Sequence, residues 1–353
     1  MPDQVKKILI IRFSSLGDIV LTEPVPRVLK EIYPQAQIDY LTKKVFLPVV
    51  ELFKTIDKIY TWDDKINVIK QLKHNQYDLV IDLHDKLNSW IVKRLISGSK
   101  CITYSKQHLR RLLLTHRLSK NAIYSTLNLY FTVFQKISDQ YAQYAFTDQK
   151  IPASLYPVLH VEKQISPQII DVFNNFGINP GKTLIGIFPG ASYETKQYPG
   201  SSFSSFINRV PESWNCQFIL LGSYDEKYIC TRIRNNCDIK PVDLCGYFDI
   251  RQLIGFCANL NGVISNDSGP MHISAALGLP QIAIFGSTHT SLGFRPLNKK
   301  AIIMESDIKC QPCTLHGQKE CPKGHFNCMR NIKPTNLYDQ FKFMLEKYIL
   351  NID

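Results

Sequence analysis

No apolar run in the 353 residues reaches the ~18–20 positions that a bilayer-crossing helix needs, which excludes a helical integral membrane protein. The amino terminus also lacks the apolar segment of a secretory leader. Ile8-Leu9-Ile10-Ile11 is shorter than the roughly 7–15 residues required, and Arg12 interrupts it. A cytoplasmic location is therefore the expectation. No block of about five or six like charges is present, so there is no basic tail of the kind that binds nucleic acid. Internal repeats and low-complexity tracts are absent as well.

What is present is an ordinary globular composition, 44% hydrophobic and 20% charged, which rules out general disorder. The length suits two domains, each large enough to bury a core. Lys and Arg outnumber Asp and Glu by 42 to 30, giving +12. That balance favours acidic partners such as nucleic acid, anionic lipid or phosphorylated small molecules, but the charge is scattered and does not choose among them. Ten cysteines in a reducing compartment argue against a disulfide scaffold and direct attention to clustered thiols as metal ligands.

Short apolar runs alternate with amphipathic stretches. Lys7–Phe13, Ile38–Thr42, Ile59–Thr61 and Asp78–Leu83 read as strands, with a helix expected from Asp18 to Tyr33. The rhythm restarts at Leu184–Phe188, Phe218–Leu221, Gly262–Ser265 and Gln281–Phe285, with helices at Ile250–Asn259 and His272–Leu277. Strands separated by helices mean βαβ units and parallel sheets. Prolines at 152, 157, 167 and 180 mark a junction. The expected division is 1–165, 166–334 and a closing helical segment, 335–353.

In open α/β sheets, ligands bind beyond the carboxyl ends of the strands, so the segments following each apolar run carry the most information. The first is Arg12-Phe13-Ser14-Ser15-Leu16-Gly17-Asp18. It is neither G-x-G-x-x-G nor a Walker A loop. Asp18 either caps the helix or acts as a weak base that works through positioning. The second, Pro189-Gly190-Ala191-Ser192-Tyr193-Glu194-Thr195-Lys196-Gln197-Tyr198-Pro199, combines small residues that let the backbone approach a phosphate with the point charge of Lys196. A lysine in such a loop is also often merely solvated. The third is Ser265-Asn266-Asp267-Ser268-Gly269-Pro270-Met271-His272, where a strand meets a helix whose free N–H groups can hold an anion. His272 and Asp267 equally suit structural and turn roles.

Taken in order, S-S-L-G-D, P-G-A…K-x-Y-P and S-N-D-S-G-x-x-H-x-x-A-A resemble glycosyltransferase family 9, the ADP-heptose:lipopolysaccharide heptosyltransferases, from Ile8 to about Ile332. The resemblance implies a GT-B fold, two Rossmann-like doubly wound α/β domains facing across a cleft. It also implies inverting transfer from a nucleotide-sugar without a catalytic metal or other cofactor. By that resemblance Asp18 is the general base and Lys196 the group that meets the departing diphosphate. Ser192, Asp225, Asp267, Ser268, Gly269 and His272 become donor contacts, although Glu226 competes with Asp225 for the ribose. Tyr198 stands where many members carry Trp. The donor expected is ADP-heptose, and the acceptor is a lipid-linked saccharide of the lipopolysaccharide inner core. The expected location is cytoplasmic, with peripheral contact at the inner membrane surface and no nucleic-acid partner. Another nucleotide-sugar donor, a nucleotide-sugar epimerase and a non-catalytic binding module are the alternatives, separable by product analysis.

Acceptor-side candidates are Ser15, His84 just past the fourth strand, and Arg110 and Arg111 in the basic-apolar stretch His108–Leu114. Cys310-x2-Cys313-x7-Cys321-x6-Cys328 has enough thiols for a tetrahedral zinc site but also fits a loop of reduced cysteines. No metal ligand is counted among the site residues.

Overall fold

The computed structural model describes residues 5–96, 98–146, 149–161 and 167–352. Two compact units result. One contains residues 1–108 and 123–160, the other 109–122 and 161–353. The expected junction at 165/166 lies outside the described residues. Residues 109–122 were expected in the first domain and group instead with the second unit. The reason is visible in Arg111, whose guanidinium lies 5.2 Å over the Phe294 ring and donates to the Leu292 carbonyl at 3.4 Å.

The first unit is built on β1 (Lys7–Ile11), β2 (Gln37–Thr42), β3 (Lys58–Thr61), β4 (Leu79–Asp82) and β5 (Lys100–Thr103). These strands form an all-parallel sheet in the order β3-β2-β1-β4-β5. Strand β5 went unforeseen because Lys100 and Cys101 are exposed, leaving Ile102 as its only buried residue. The single helix expected over 18–33 is two, Leu16–Leu21 and Pro24–Ile32. Pro24 and Pro26 lack the N–H groups that would continue the first helix, while each fits the first turn of a new one.

The second unit carries β6 (Thr183–Phe188), β7 (Cys216–Leu220), β8 (Val242–Asp243), β9 (Gly262–Asn266), β10 (Gln281–Ile284) and β11 (Ala301–Met304). All are parallel, in the order β11-β10-β9-β6-β7-β8. Successive side chains alternate between two apolar layers. Ile185, Ile187, Leu220 and Ile264 enter one; Leu184, Phe188, Ile219, Leu221 and Val263 enter the other. Both faces are therefore covered, as a doubly wound parallel sheet requires. Each such side chain contributes about 1.5–3 kcal/mol on burial. The closing helix spans Pro334–Met344 and continues as a wider turn through Leu345–Ile349; Leu337, Phe341 and Met344 sit in the first of these layers.

Both sheets share one winding. The chain starts in the middle, moves outward through two strands, then crosses back to the other side of the first strand. The direction reverses between β1 and β4 in one unit and between β6 and β9 in the other. Crevices at such reversals are where open α/β sheets bind ligands. The turns that follow these four strands are those carrying Asp18, His84, Lys196 and Asp267.

Candidate active site

In the first unit, Asp18 sits in the opening turn of Leu16–Leu21 and folds back on the residue before it. The backbone N–H and hydroxyl of Ser15 donate to Asp18 Oδ2 at 3.2 and 2.8 Å. Arg12, at the end of β1, places its guanidinium 2.6 Å from the same oxygen, and the Tyr130 hydroxyl donates to Oδ1 at 3.1 Å. Arg12 also donates to the Leu83 carbonyl and lies over the Tyr130 ring. Burial pushes the Asp18 carboxyl upward, but the Arg12 charge, Ser15 and Tyr130 outweigh it and hold the group well below the usual carboxylate range. A quarter of the Asp18 side chain remains open to solvent. The carboxylate is therefore fixed in place and ionised at neutral pH while part of it stays open to solvent.

His84 belongs to the neighbouring turn. Asp82 closes that turn by accepting from the His84 and Asp85 N–H groups at 2.9 and 2.8 Å, and it is paired with Lys93 at 2.7 Å. The imidazole meets the Phe13 ring edge-on at 5.3 Å, and its buried Nδ1 has no hydrogen-bond partner. Burial first, then the charges of Arg12 and Lys86, lower its pKa to about 4, so it is neutral at neutral pH. Ser15 is exposed beside Asp18.

In the second unit, the turns after β6 and β9 lock together. Lys196 Nζ is 2.9 Å from Asp267 Oδ2, with 13% and 5% of the side chains exposed, and Thr288 donates to the same oxygen at 2.7 Å. Asn266 forms a second tie, accepting from the Tyr198 N–H at 3.0 Å and donating to the Pro189 carbonyl at 2.7 Å. Tyr198 is buried, its hydroxyl donating to the Ile332 carbonyl at 2.8 Å. Ser268 precedes the helix Gly269–Ala276, with Pro270 in its first turn and His272 buried within it. Ser192 and Asp225 are exposed.

Glu226, the alternative to Asp225, is the less exposed of the two acids. Its carboxylate accepts from the Ser223 N–H at 2.7 Å and lies against Gly190 and Gly222. A Cβ at Gly190 would come within 1.8 Å of Glu226 Oε1, so the glycine is there to admit this side chain. Arg12, Tyr130, Asn266 and Thr288 went unassigned in the sequence. Arg12 and Asn266 stand inside quoted segments, but Tyr130 and Thr288 had no spacing signal, because their partners Asp18 and Asp267 are 112 and 21 positions away. Arg110 donates to the Asn121 and Ala122 carbonyls at 2.8 and 2.6 Å, stabilising its own hairpin.

Known proteins resemble the chain in both sequence and fold. Residues 66–324 match the sequence profile described as glycosyltransferase family 9 (heptosyltransferase). The chain is 27% identical over 340 residues to lipooligosaccharide heptosyltransferase 2 of Campylobacter jejuni, covering 94% of this chain and 96% of that protein. Among solved structures it resembles E. coli ADP-heptose lps heptosyltransferase II, with a TM-score of 0.74 at 21% identity over 96% of this chain and 98% of that one. A glycosyl transferase family 9 protein from Veillonella parvula matches with the same TM-score at 20% identity, over 96% and 97%.

Proposed function

This chain belongs to glycosyltransferase family 9, and on that premise we propose that it transfers a heptose from ADP-heptose to the inner core of lipopolysaccharide, with inversion and without a catalytic metal. The observation that carries this reading is the placement of chemistry at both sheet reversals: an ionised carboxylate clamped by Arg12 in one unit, an ammonium clamped by Asp267 in the other. The Campylobacter relative's name supports the sugar and the class of acceptor.

In the proposed reaction, the acceptor oxygen attacks the anomeric carbon from the face opposite the diphosphate. The bond to the diphosphate oxygen breaks, and ADP leaves with the electron pair. Asp18 takes the acceptor proton. It is a weak base, so it acts late, when the forming bond has made the hydroxyl acidic, and it depends on being held in place. Lys196 and the N-terminus of Gly269–Ala276 neutralise charge growing on the diphosphate. Asp267 orients Lys196 rather than meeting the phosphates, since two anions would repel. Glu226 is assigned to the donor ribose in preference to Asp225; Ser192, Ser268 and His272 flank the donor. Ser15 and the unpartnered Nδ1 of His84 are assigned to the acceptor. Arg110 adjoins a lipid-facing patch at the membrane surface.

The test is incubation with ADP-heptose and a heptose-deficient core lipopolysaccharide, with magnesium removed by EDTA. One ADP should appear per heptose transferred, with inverted anomeric configuration. Asp18→Asn, still folded by circular dichroism, should lose at least ~10²-fold in kcat with little change in donor affinity. Free heptose without acceptor product, near-normal turnover of the variant, or a magnesium requirement would each overturn the corresponding part of this reading.

A further inference from the structure

Residues 305–326 connect β11 to the short helix Asn327–Arg330 without any helix or strand of their own. So long an irregular segment within a compact unit needs a separate source of order. Three of its cysteines face one from the helix that follows. Cys310, Cys313, Cys321 and Cys328 line one cavity of about 10 Å³, room for a single water-sized body. His325 lies at the same cavity, with Nε2 3.7 Å from Cys310 Sγ. The Asn327 N–H donates to His325 Nδ1 at 3.0 Å, which leaves the proton on Nε2, directed at the sulfur.

We propose that Cys310, Cys313, Cys321 and Cys328 bind one divalent transition-metal ion of the zinc type as a structural site, with the His325 Nε2–H donating to the Cys310 thiolate. Four sulfur donors close in sequence match the closed tetrahedral sites of structural zinc, and a hydrogen bond to a ligand atom is the usual outer support. On binding, the four thiols release their protons and four thiolates surround a dication. Lys323 at the cavity and Arg117, which donates to the Cys310 carbonyl at 3.2 Å, offset the remaining negative charge.

No three of these sulfurs lie within 4.8 Å of one another, so binding must draw the segment together around the ion. Among the described residues, the set of three donors already within 4.8 Å of one another is instead Cys230, Asp243 and Cys245. That set lacks a fourth donor, and Cys245 Sγ is engaged with the Ser223 carbonyl at 3.1 Å. The four-thiol loop also has a purpose beyond its own order. Gly317 packs against the Lys196 stem, where a Cβ would approach Cδ to 2.9 Å, and the Cys313 N–H donates to the Ser287 carbonyl at 3.0 Å. An ion in the loop would thus stiffen the wall behind Lys196 while taking no part in transfer.

The test uses the full chain purified under reducing conditions. Elemental analysis should find about one ion per chain. Cys310→Ser combined with Cys321→Ser, both at partly exposed positions, should reduce it to background and lower the melting temperature. Cobalt exchanged into the wild-type chain should give thiolate-to-metal charge-transfer bands and the visible spectrum of a tetrahedral ion. Should the double variant fail to fold, mercurial titration of the wild type decides the matter, with about four thiols consumed per ion released. Metal-free protein in which all ten cysteines titrate as thiols after unfolding would overturn the proposal. Metal-free protein with fewer thiols would overturn it in favour of disulfides.

Discussion

Asp18 and His84 occupy adjacent turns in the first unit and titrate in opposite environments, so their pH behaviour separates them. Asp18 is held ionised by Arg12 and Ser15, with its folded pKa below its unfolded one. It contributes stability above the unfolded value of about 4, lost only as pH falls through the depressed one. His84 behaves differently. Burial keeps it neutral down to about pH 4, whereas the unfolded chain takes up a proton near 6.5. From pH 6.5 down to 4 the unfolded state therefore binds the extra proton, and stability should decline by up to about 3 kcal/mol. Denaturant unfolding of the wild type against His84→Asn across this range should show the decline vanish in the variant, and an identical slope in both proteins would reject the assignment. The pH profile of kcat/KM should carry no acid limb from either group above pH 5. An acid limb near pH 6 that disappears in Asp18→Asn would mean that Arg12 does not hold the base ionised in solution.

The turn proposed to meet the donor owes much of its order to residues remote in sequence. Thr195 Oγ1 donates to the Gln318 carbonyl at 2.9 Å and accepts from the Gln318 N–H and the Ser287 hydroxyl, both at 2.8 Å; the Thr195 carbonyl accepts from the Ser287 N–H at 3.0 Å. These bonds fix the residue preceding Lys196. Thr195→Val keeps the shape and removes the side-chain bonds, leaving buried partners unpaired at about 1–3 kcal/mol. The melting temperature should fall and donor KM rise, while Asp18 chemistry is untouched. A variant with wild-type melting and donor KM would show that the staple is incidental. This turn also marks the limit of what could be read beforehand. Its small residues and lysine were visible because they are contiguous and follow an apolar run. Thr195 looked like any turn residue, since Gln318 and Ser287 are 123 and 92 positions away. Glu226 and Asp225 are equally hard to rank from sequence, since the approach of Glu226 to Gly190 spans 36 positions. The break at Pro24 was, by contrast, written locally and went unread because the apolar spacing continues across it.

At the scale of the whole chain, most strands were legible, because parallel strands buried on both faces are continuous apolar runs. The edge strands β5, β8 and β11 were not, being short or half exposed. Charge was equally plain in total and uninformative in place until the fold located it. The chain carries +12 overall, and no helix among the described residues is long and apolar enough to cross a membrane; we propose that a lipid-borne acceptor is met at the membrane surface. The proposed contact is the segment 109–122, which exposes Leu109, Leu112 and Leu118 at 69%, 54% and 75% beside exposed Arg117 and Lys120. Apolar side chains among basic ones suit the boundary of an anionic leaflet, where each cation is worth about 1 kcal/mol and screening removes the attraction. The protein should therefore sediment with vesicles containing phosphatidylglycerol at low salt. It should release from them at about 0.5 M salt and ignore purely zwitterionic vesicles. Leu109→Glu with Leu112→Glu should weaken binding at every salt concentration, because it removes insertion and adds repulsion, while a short water-soluble acceptor is still glycosylated. If the double variant binds anionic vesicles as tightly as wild type, the contact lies elsewhere on the surface. If neither binds, the positive charge serves the anionic substrates alone.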